Sequence, residues 1–217
     1  MNESSGTNHD ARTRGPRDGG GVAHEGPAKA ILRPAIALLL VMTALLGIVY
    51  PFLVTGIASV IFPAQAAGSL IVRNGRIVGS RLIGQPFSNP GYFWSRPSAT
   101  SPQPYNGLDS GGSNLGPLNP ALITAVQARI AALRAADPGN DARIPVDLVT
   151  TSASGLDPDI SLAAAYYQAG RVARARGLSV GRVRALIAAH AKGRLLGVLG
   201  EPRVNVLELN LALDQIH

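Results

Sequence analysis

Between Arg33 and Arg73 the chain carries no charged side chain, and from Ala35 to Phe62 it reads AIALLLVMTALLGIVYPFLVTGIASVIF, 28 residues of unbroken low polarity. About 20 such residues cross a hydrocarbon layer of about 30 Å, so the pattern predicts a transmembrane helix over residues 34–60. Pro51, near its far end, is expected either to kink that helix or to stop it. Ahead of it, residues 1–33 are dominated by Gly, Ser, Asn, Arg, Asp and Pro, a composition that cannot repay the entropy of ordering and predicts a disordered tail.

Past the span the period shortens. Ser69 to Ser80 reads SLIVRNGRIVGS, two β-branched runs around Asn74-Gly75, which is a strong hairpin signal because both turn residues need positive φ. Residues 97–120 are mostly Pro, Gly, Ser and Asn, with Tyr105 nearly the only bulky side chain; a loop of that length is either functional or disordered. Asn119-Pro120 opens a helix whose stripe is Leu122, Val126, Ile130 and Leu133 and which ends by Asp137-Pro138-Gly139. Ile144 to Val149 (IPVDLV) predicts a short buried strand, and Thr150 to Asp159 a turn-rich segment. A helix follows from about Ser161 to Arg176, closed by Gly177 in a left-handed cap. Ser179 caps another through about Ala191, with Val183, Leu186 and Ile187 on its apolar side. Residues 204–213 fit both periods; the favoured reading is a short extended piece entering a final helix after Asn205. The fold class is therefore α+β: one N-terminal transmembrane helix and then a single small mixed domain over residues 61–217, with a β-hairpin, a short strand and several helices.

Charge and chemistry change this picture only in places. The formal charge is +7, with 20 Lys and Arg against 13 acidic residues. That excess means either an anionic partner or merely an arginine-rich codon bias. There is no cysteine, which excludes disulfides, thiolate metal sites and cysteine nucleophiles. The histidines have no ligand spacing, so a metal site is not expected. No Walker loop, Ser/His/Asp set or paired carboxylates give the chain an active site. Two constellations remain. Ser152-Ala153-Ser154-Gly155-Leu156-Asp157-Pro158, with Gln168 on the following helix, is either an anion-holding turn or a tight turn in which Asp157 and Ser161 cap that helix. Arg171, Arg174, Arg176, Arg182, Arg184, Lys192 and Arg194 form either a surface for anionic lipid or nucleic acid, or a solvated helix face. Ala64-Gln65-Ala66 has the form of a signal peptidase site, but the apolar run before it is nearly twice the length of a signal core. The positive-inside comparison is a tie, three cations on each flank, so it does not orient the chain.

Many of these segments occur together in one known family. Tyr50-Pro51 with Thr55-Gly56, Phe62-Pro63-Ala64-Gln65-Ala66, Leu82-Ile83-Gly84-Gln85, Arg96-Pro97-Ser98-Ala99, Gly112-Ser113-Asn114, Pro145-Val146-Asp147, Ser154-Gly155-Leu156-Asp157-Pro158 with Gln168 and Arg171, and Gly200-Glu201-Pro202-Arg203-Val204-Asn205 follow one another in order. On these the chain resembles the C subunit of the Kdp potassium-transporting ATPase, from Ala35 to Asp214. It departs from the family in a longer tail, in Ala153 where glycine is usual, and in Leu162 where proline is common. The resemblance implies a non-catalytic subunit of a high-affinity, ATP-driven potassium uptake complex. Its partners would be a P-type ATPase subunit that hydrolyses ATP, a channel-like potassium-binding subunit, a small one-span peptide and membrane lipid, with no nucleic acid. It implies a single-pass protein of the bacterial plasma (inner) membrane, N-terminus cytoplasmic and domain external. It further implies assembly and stabilisation, and a catalytic-chaperone effect that raises ATP affinity on the ATPase subunit. No cofactor of its own is expected; ATP held jointly with that subunit would fall to Ser154, Gly155 and Gln168. Cleavage at Ala66 would remove the anchor. The alternative from another class is a membrane-tethered module binding anionic lipid or nucleic acid through the arginines of residues 171–194.

Overall fold

The structure is a computed structural model and describes residues 27–216, with side chains from residue 31 onward. The tail expected over residues 1–26 lies outside them. Two units divide within the helical segment, the first ending at Gly56.

The helical segment starts at Pro27, seven residues ahead of the expected boundary: α1 runs Pro27–Ala44, a single π-helical turn covers Leu45–Val49, and α2 runs Tyr50–Ile61. Pro51 therefore neither stops nor breaks the helix. A proline in a helix lacks its N–H and crowds the carbonyl four residues back, here that of Gly47. The wide turn absorbs both faults, with Tyr50 N–H donating to Leu45 O, five residues back. Residues 31–61 form one apolar stretch suited to crossing a membrane, and Leu39, Phe52 and Val60 stand exposed along it. Large apolar side chains left uncovered over such a length need a non-aqueous surround.

The second unit opens with the short α3 (Pro63–Ala66) and the predicted hairpin, β1 (Leu70–Arg73) against β2 (Arg76–Ser80). Asn74 and Gly75 take φ of +52° and +75°, as a two-residue turn requires. Pairing runs Leu70 with Ser80 and Ile71 with Gly79, then slips to Val72 with Ile77, which leaves Val78 as a bulge. Gln85 Nε2 donates to the freed Val78 carbonyl at 2.8 Å.

α4 (Pro120–Ala136) begins where Asn119 Oδ1 accepts from Ala121 N–H at 2.9 Å. The strand expected over residues 144–149 is not formed. Val146–Leu148 is a 3₁₀ turn, in which Val146 is 69% exposed while its neighbours Leu148 and Val149 are buried. Adjacent buried residues contradict a period of two, and Asp147 is drawn instead to Ser161. The strand pair of this unit is β3 (Asp159–Ser161) antiparallel to β4 (Arg203–Asn205), with Ile160 facing Val204 in the core.

α5 (Leu162–Arg176), α6 (Val180–His190) and α7 (Val206–Leu213) follow the sequence pattern, and Gly177 closes α5 at φ +65°. Ser161, Ser179 and Asn205 each cap the helix they precede, a device that contributes about 1 kcal/mol apiece. The core gathers Ala164, Ala169 and Val172 of α5, Val183 and Ile187 of α6, Leu209 and Leu213 of α7, and Phe93. Small residues on α5 let the neighbouring elements approach closely.

Candidate functional site

The turn over residues 151–159 is built by local side-chain bonds. Ser154 Oγ accepts from Leu156 N–H at 3.1 Å and Asp157 Oδ1 from Asp159 N–H at 3.0 Å. Asp157 thus closes a turn, and Ser161 alone caps α5. Gly155 sits at φ +68°, and a Cβ there would lie 2.5 Å from Thr100 Cγ2 and 2.6 Å from Gly111 O. The close approach comes from the long loop of residues 97–120, which clasps the turn. Ser98 Oγ donates to Gly155 O at 2.6 Å, and Gly111 N–H and Ser110 Oγ donate to Ser154 O at 2.9 and 3.0 Å. The loop is ordered by these bonds without regular structure.

Gln168 lies elsewhere. It is 1% exposed; its Oε1 accepts from Trp94 N–H at 2.8 Å and Arg171 Nη2 at 2.6 Å, and its Nε2 donates to Trp94 O at 3.1 Å. Asn210 treats Phe93 alike, accepting from its N–H at 2.8 Å and donating to its carbonyl at 3.0 Å. Two buried amides therefore satisfy a strap of main chain that has no strand beside it. Arg171, 4% exposed, donates to the carbonyls of Pro90 and Tyr92, and its guanidinium carbon lies 4.5 Å from the Trp94 ring centroid. Burial pushes its pKa down to about 10 against the opposing pull of Asp137, so it remains charged at neutral pH. Of the three residues expected to meet a nucleotide, Ser154 and Gly155 share the clasped turn, and Gln168 belongs to the strap.

Beside the turn runs a groove of two cavities, about 530 and 610 Å³, which share Arg96 and Asp157. Ser154 lines the second. Arg96 donates to Thr150 O and Thr151 O at 3.2 and 3.1 Å and pairs with Asp157 at 3.3 Å, fixing the wall between them. The first is lined by Asp147, Asp159, Glu201 and Arg203 as well, residues that the sequence reading did not single out as a set. Their one local signal is Asp157-Pro158-Asp159; the remainder assemble only when β3 meets β4.

The arginine-rich stretch is largely spent on the fold. Arg171 is buried, and Arg174, Arg176, Lys192 and Arg194 pair with Asp137, Asp214, Glu208 and Glu201. Arg176 also lies over the Tyr92 ring and Arg184 over that of Tyr166. Each of these pairs cancels one positive charge of the stretch, although Arg174, Lys192 and Arg194 remain about half exposed.

A family model described as K+-transporting ATPase, c chain, matches residues 32–215. The chain is 67% identical over 186 residues to the potassium-transporting ATPase KdpC subunit of Methylibium petroleiphilum, covering 86% of this chain and 97% of that one. It is 66% identical over 184 residues to that of Variovorax paradoxus, covering 85% and 95%. For the Sorangium cellulosum protein of the same name the identity is 65% over 185 residues, covering 85% and 97%.

Proposed function

The chain belongs to the KdpC family, the c chains of K+-transporting ATPases, and from that premise we propose that it is the non-catalytic, anchored subunit that stabilises a potassium uptake complex. In this reading one apolar helix crosses the bacterial plasma membrane, the N-terminus is cytoplasmic and the domain external. Its partners are a P-type ATPase subunit that hydrolyses ATP, a channel-like potassium-binding subunit and a small one-span peptide. The observation that carries the proposal is a match over residues 32–215 that takes in the apolar helix and the domain together.

The effect on ATP affinity is assigned to assembly rather than to a nucleotide seated on this chain. Two features support that: the Gln168 amide is engaged on both its atoms, and an external domain is closed off from cytoplasmic ATP. The test is purification of the tagged chain with its membrane neighbours in mild detergent, followed by potassium-stimulated ATP hydrolysis. The expected result is co-recovery of a P-type ATPase and a channel-like protein, with activity lost when this chain is omitted. Recovery of the chain alone, or full activity without it, overturns the reading. Ser154→Ala separates the two routes to ATP affinity. Direct contact would raise the KM for ATP in an assembled complex, whereas the assembly route leaves it unchanged.

A further inference from the structure

Between Lys192 and Arg203 the chain makes a small hairpin whose tip is apolar. Leu195, Leu196, Val198 and Leu199 are 66%, 84%, 74% and 58% exposed. The tip is preformed: Leu195 N–H donates to Leu199 O at 2.8 Å and Leu199 N–H to Leu195 O at 3.0 Å, closing it on itself. Leu196 holds φ +54°, a left-handed backbone unfavourable for a large side chain. The cations at its foot are neutralised within the domain, Arg194 by Glu201 at 2.9 Å and Arg203 by Asp159 at 2.8 Å.

Glu201 and Arg203 at that foot also line the 530 Å³ cleft, so knob and cleft form one continuous surface. The cleft is lined by the carboxylates of Asp147, Asp157, Asp159 and Glu201; Arg96, Arg203 and Arg194 pair with the last three, which leaves Asp147 as the net negative charge in a chain whose overall charge is +7. One of these carboxylates has capacity to spare. Asp147 accepts from Ser161 N–H and Oγ at 2.8 and 3.2 Å, and among the described residues no cation pairs with it. Asp159 Oδ1 is buried without a hydrogen-bond partner, and its Oδ2 is held by Arg203. Asp159 and Ser161 lie on the same side of β3, about 6.6 Å apart along the strand, so Asp159 and the Asp147 carboxylate held by Ser161 share one wall. Pro145, exposed Val146 and Pro202 supply an apolar rim suited to the aliphatic stem of a long cationic side chain.

We propose that the Leu195–Leu199 knob and the adjoining acidic cleft dock a segment of a neighbouring subunit of the potassium-transporting complex. An apolar socket takes the knob, and an arginine or lysine beside it enters the cleft between Asp147 and Asp159. Charge complementarity selects this occupant. An anionic bilayer surface is disfavoured by the uncompensated Asp147 in the cleft, and the charges of the cations at the knob's foot are balanced by Glu201 and Asp159. A basic protein segment satisfies the apolar and the acidic parts at once.

The inference rests on the subunit reading above. The chain lacks cysteine, so Val146→Cys and Leu196→Cys each give it a single thiol of its own within the assembled complex, with Leu108→Cys, at a 99% exposed position, as control. A thiol- and amine-reactive crosslinker followed by mass spectrometry is expected to join the first two to a lysine of a partner subunit, at about tenfold the yield of the control. The double change Leu195→Ser with Leu196→Ser is expected to lower partner recovery by about tenfold, with the chain's own unfolding temperature unchanged. An intact complex with equal yields from all three positions overturns the inference and leaves the subunit reading standing. Attachment to phosphatidylethanolamine in place of protein overturns it in favour of a lipid surface. A wild-type chain recovered with no partner overturns both.

Discussion

Two buried amides do at residue level what a strand would otherwise do. Gln168 and Asn210 give the Phe93–Trp94 main chain both donor and acceptor, and Arg171, one turn along α5 from Gln168, holds the Pro90 and Tyr92 carbonyls just before it. Gln168→Ala would leave a buried N–H, a carbonyl and part of a guanidinium without partners, each an uncompensated desolvation. The expected outcome is a loss of about 2–3 kcal/mol in urea unfolding of the detergent-solubilised chain. A residue serving only to contact nucleotide would leave that stability untouched. Tyr105 gives a pH prediction. Its hydroxyl donates to Arg96 O, and burial pushes its pKa up to about 12 from 10. Because the folded pKa is raised, its contribution is complete below pH 10 and is lost as pH rises through about 12. Urea midpoints of the parent chain should therefore fall more steeply over that window than those of Tyr105→Phe. Gln168 was visible in the sequence as a polar residue on an alanine-rich helix, but its purpose was not. The partner is Trp94, 74 positions away, and no local pattern reports a pairing at that range.

Helices here were legible, and the reason is chemical: Asn119, Ser161, Ser179, Gly177 and Asn205 punctuate them with side chains and backbone angles that act within a few residues. The Asn74-Gly75 hairpin was legible for the same reason, while its Val78 bulge, fastened by Gln85 from outside the strands, was not. The IPVDLV segment misleads because its composition suits a strand, yet Asp147 is held by Ser161 and turns the backbone into a 3₁₀ step. Pairing of β3 with β4, which replaces that strand, joins residues more than forty positions apart. In the apolar helix, the π turn at Leu45–Val49 is attributed to Pro51. Pro51→Ala restores the missing N–H and removes the ring from the Gly47 carbonyl, so the turn should tighten to α. Hydrogen exchange in micelles would register the new bond as a protected amide at residue 51.

At the scale of the whole molecule, an uncharged run of 28 residues and one mixed domain were plain from the sequence, whereas three cations on each flank gave no orientation. The same run bears on whether the chain stays anchored or is released. A helix over residues 31–61 is about 45 Å long, half as long again as the hydrocarbon layer. Signal cores are held to 7–15 apolar residues, and this stretch is about twice the upper value. The family match includes it from residue 32, so a chain beginning at Ala67 would lack a matched segment as well as its hold on the bilayer. The expected outcome is that alkaline carbonate leaves the protein in the membrane pellet, that mild detergent releases it, and that its intact mass is near 22.4 kDa. Release by carbonate with a mass corresponding to residues 67–217 would show cleavage after Ala66. The subunit reading would then fail with it, because the anchored assembly depends on the helix.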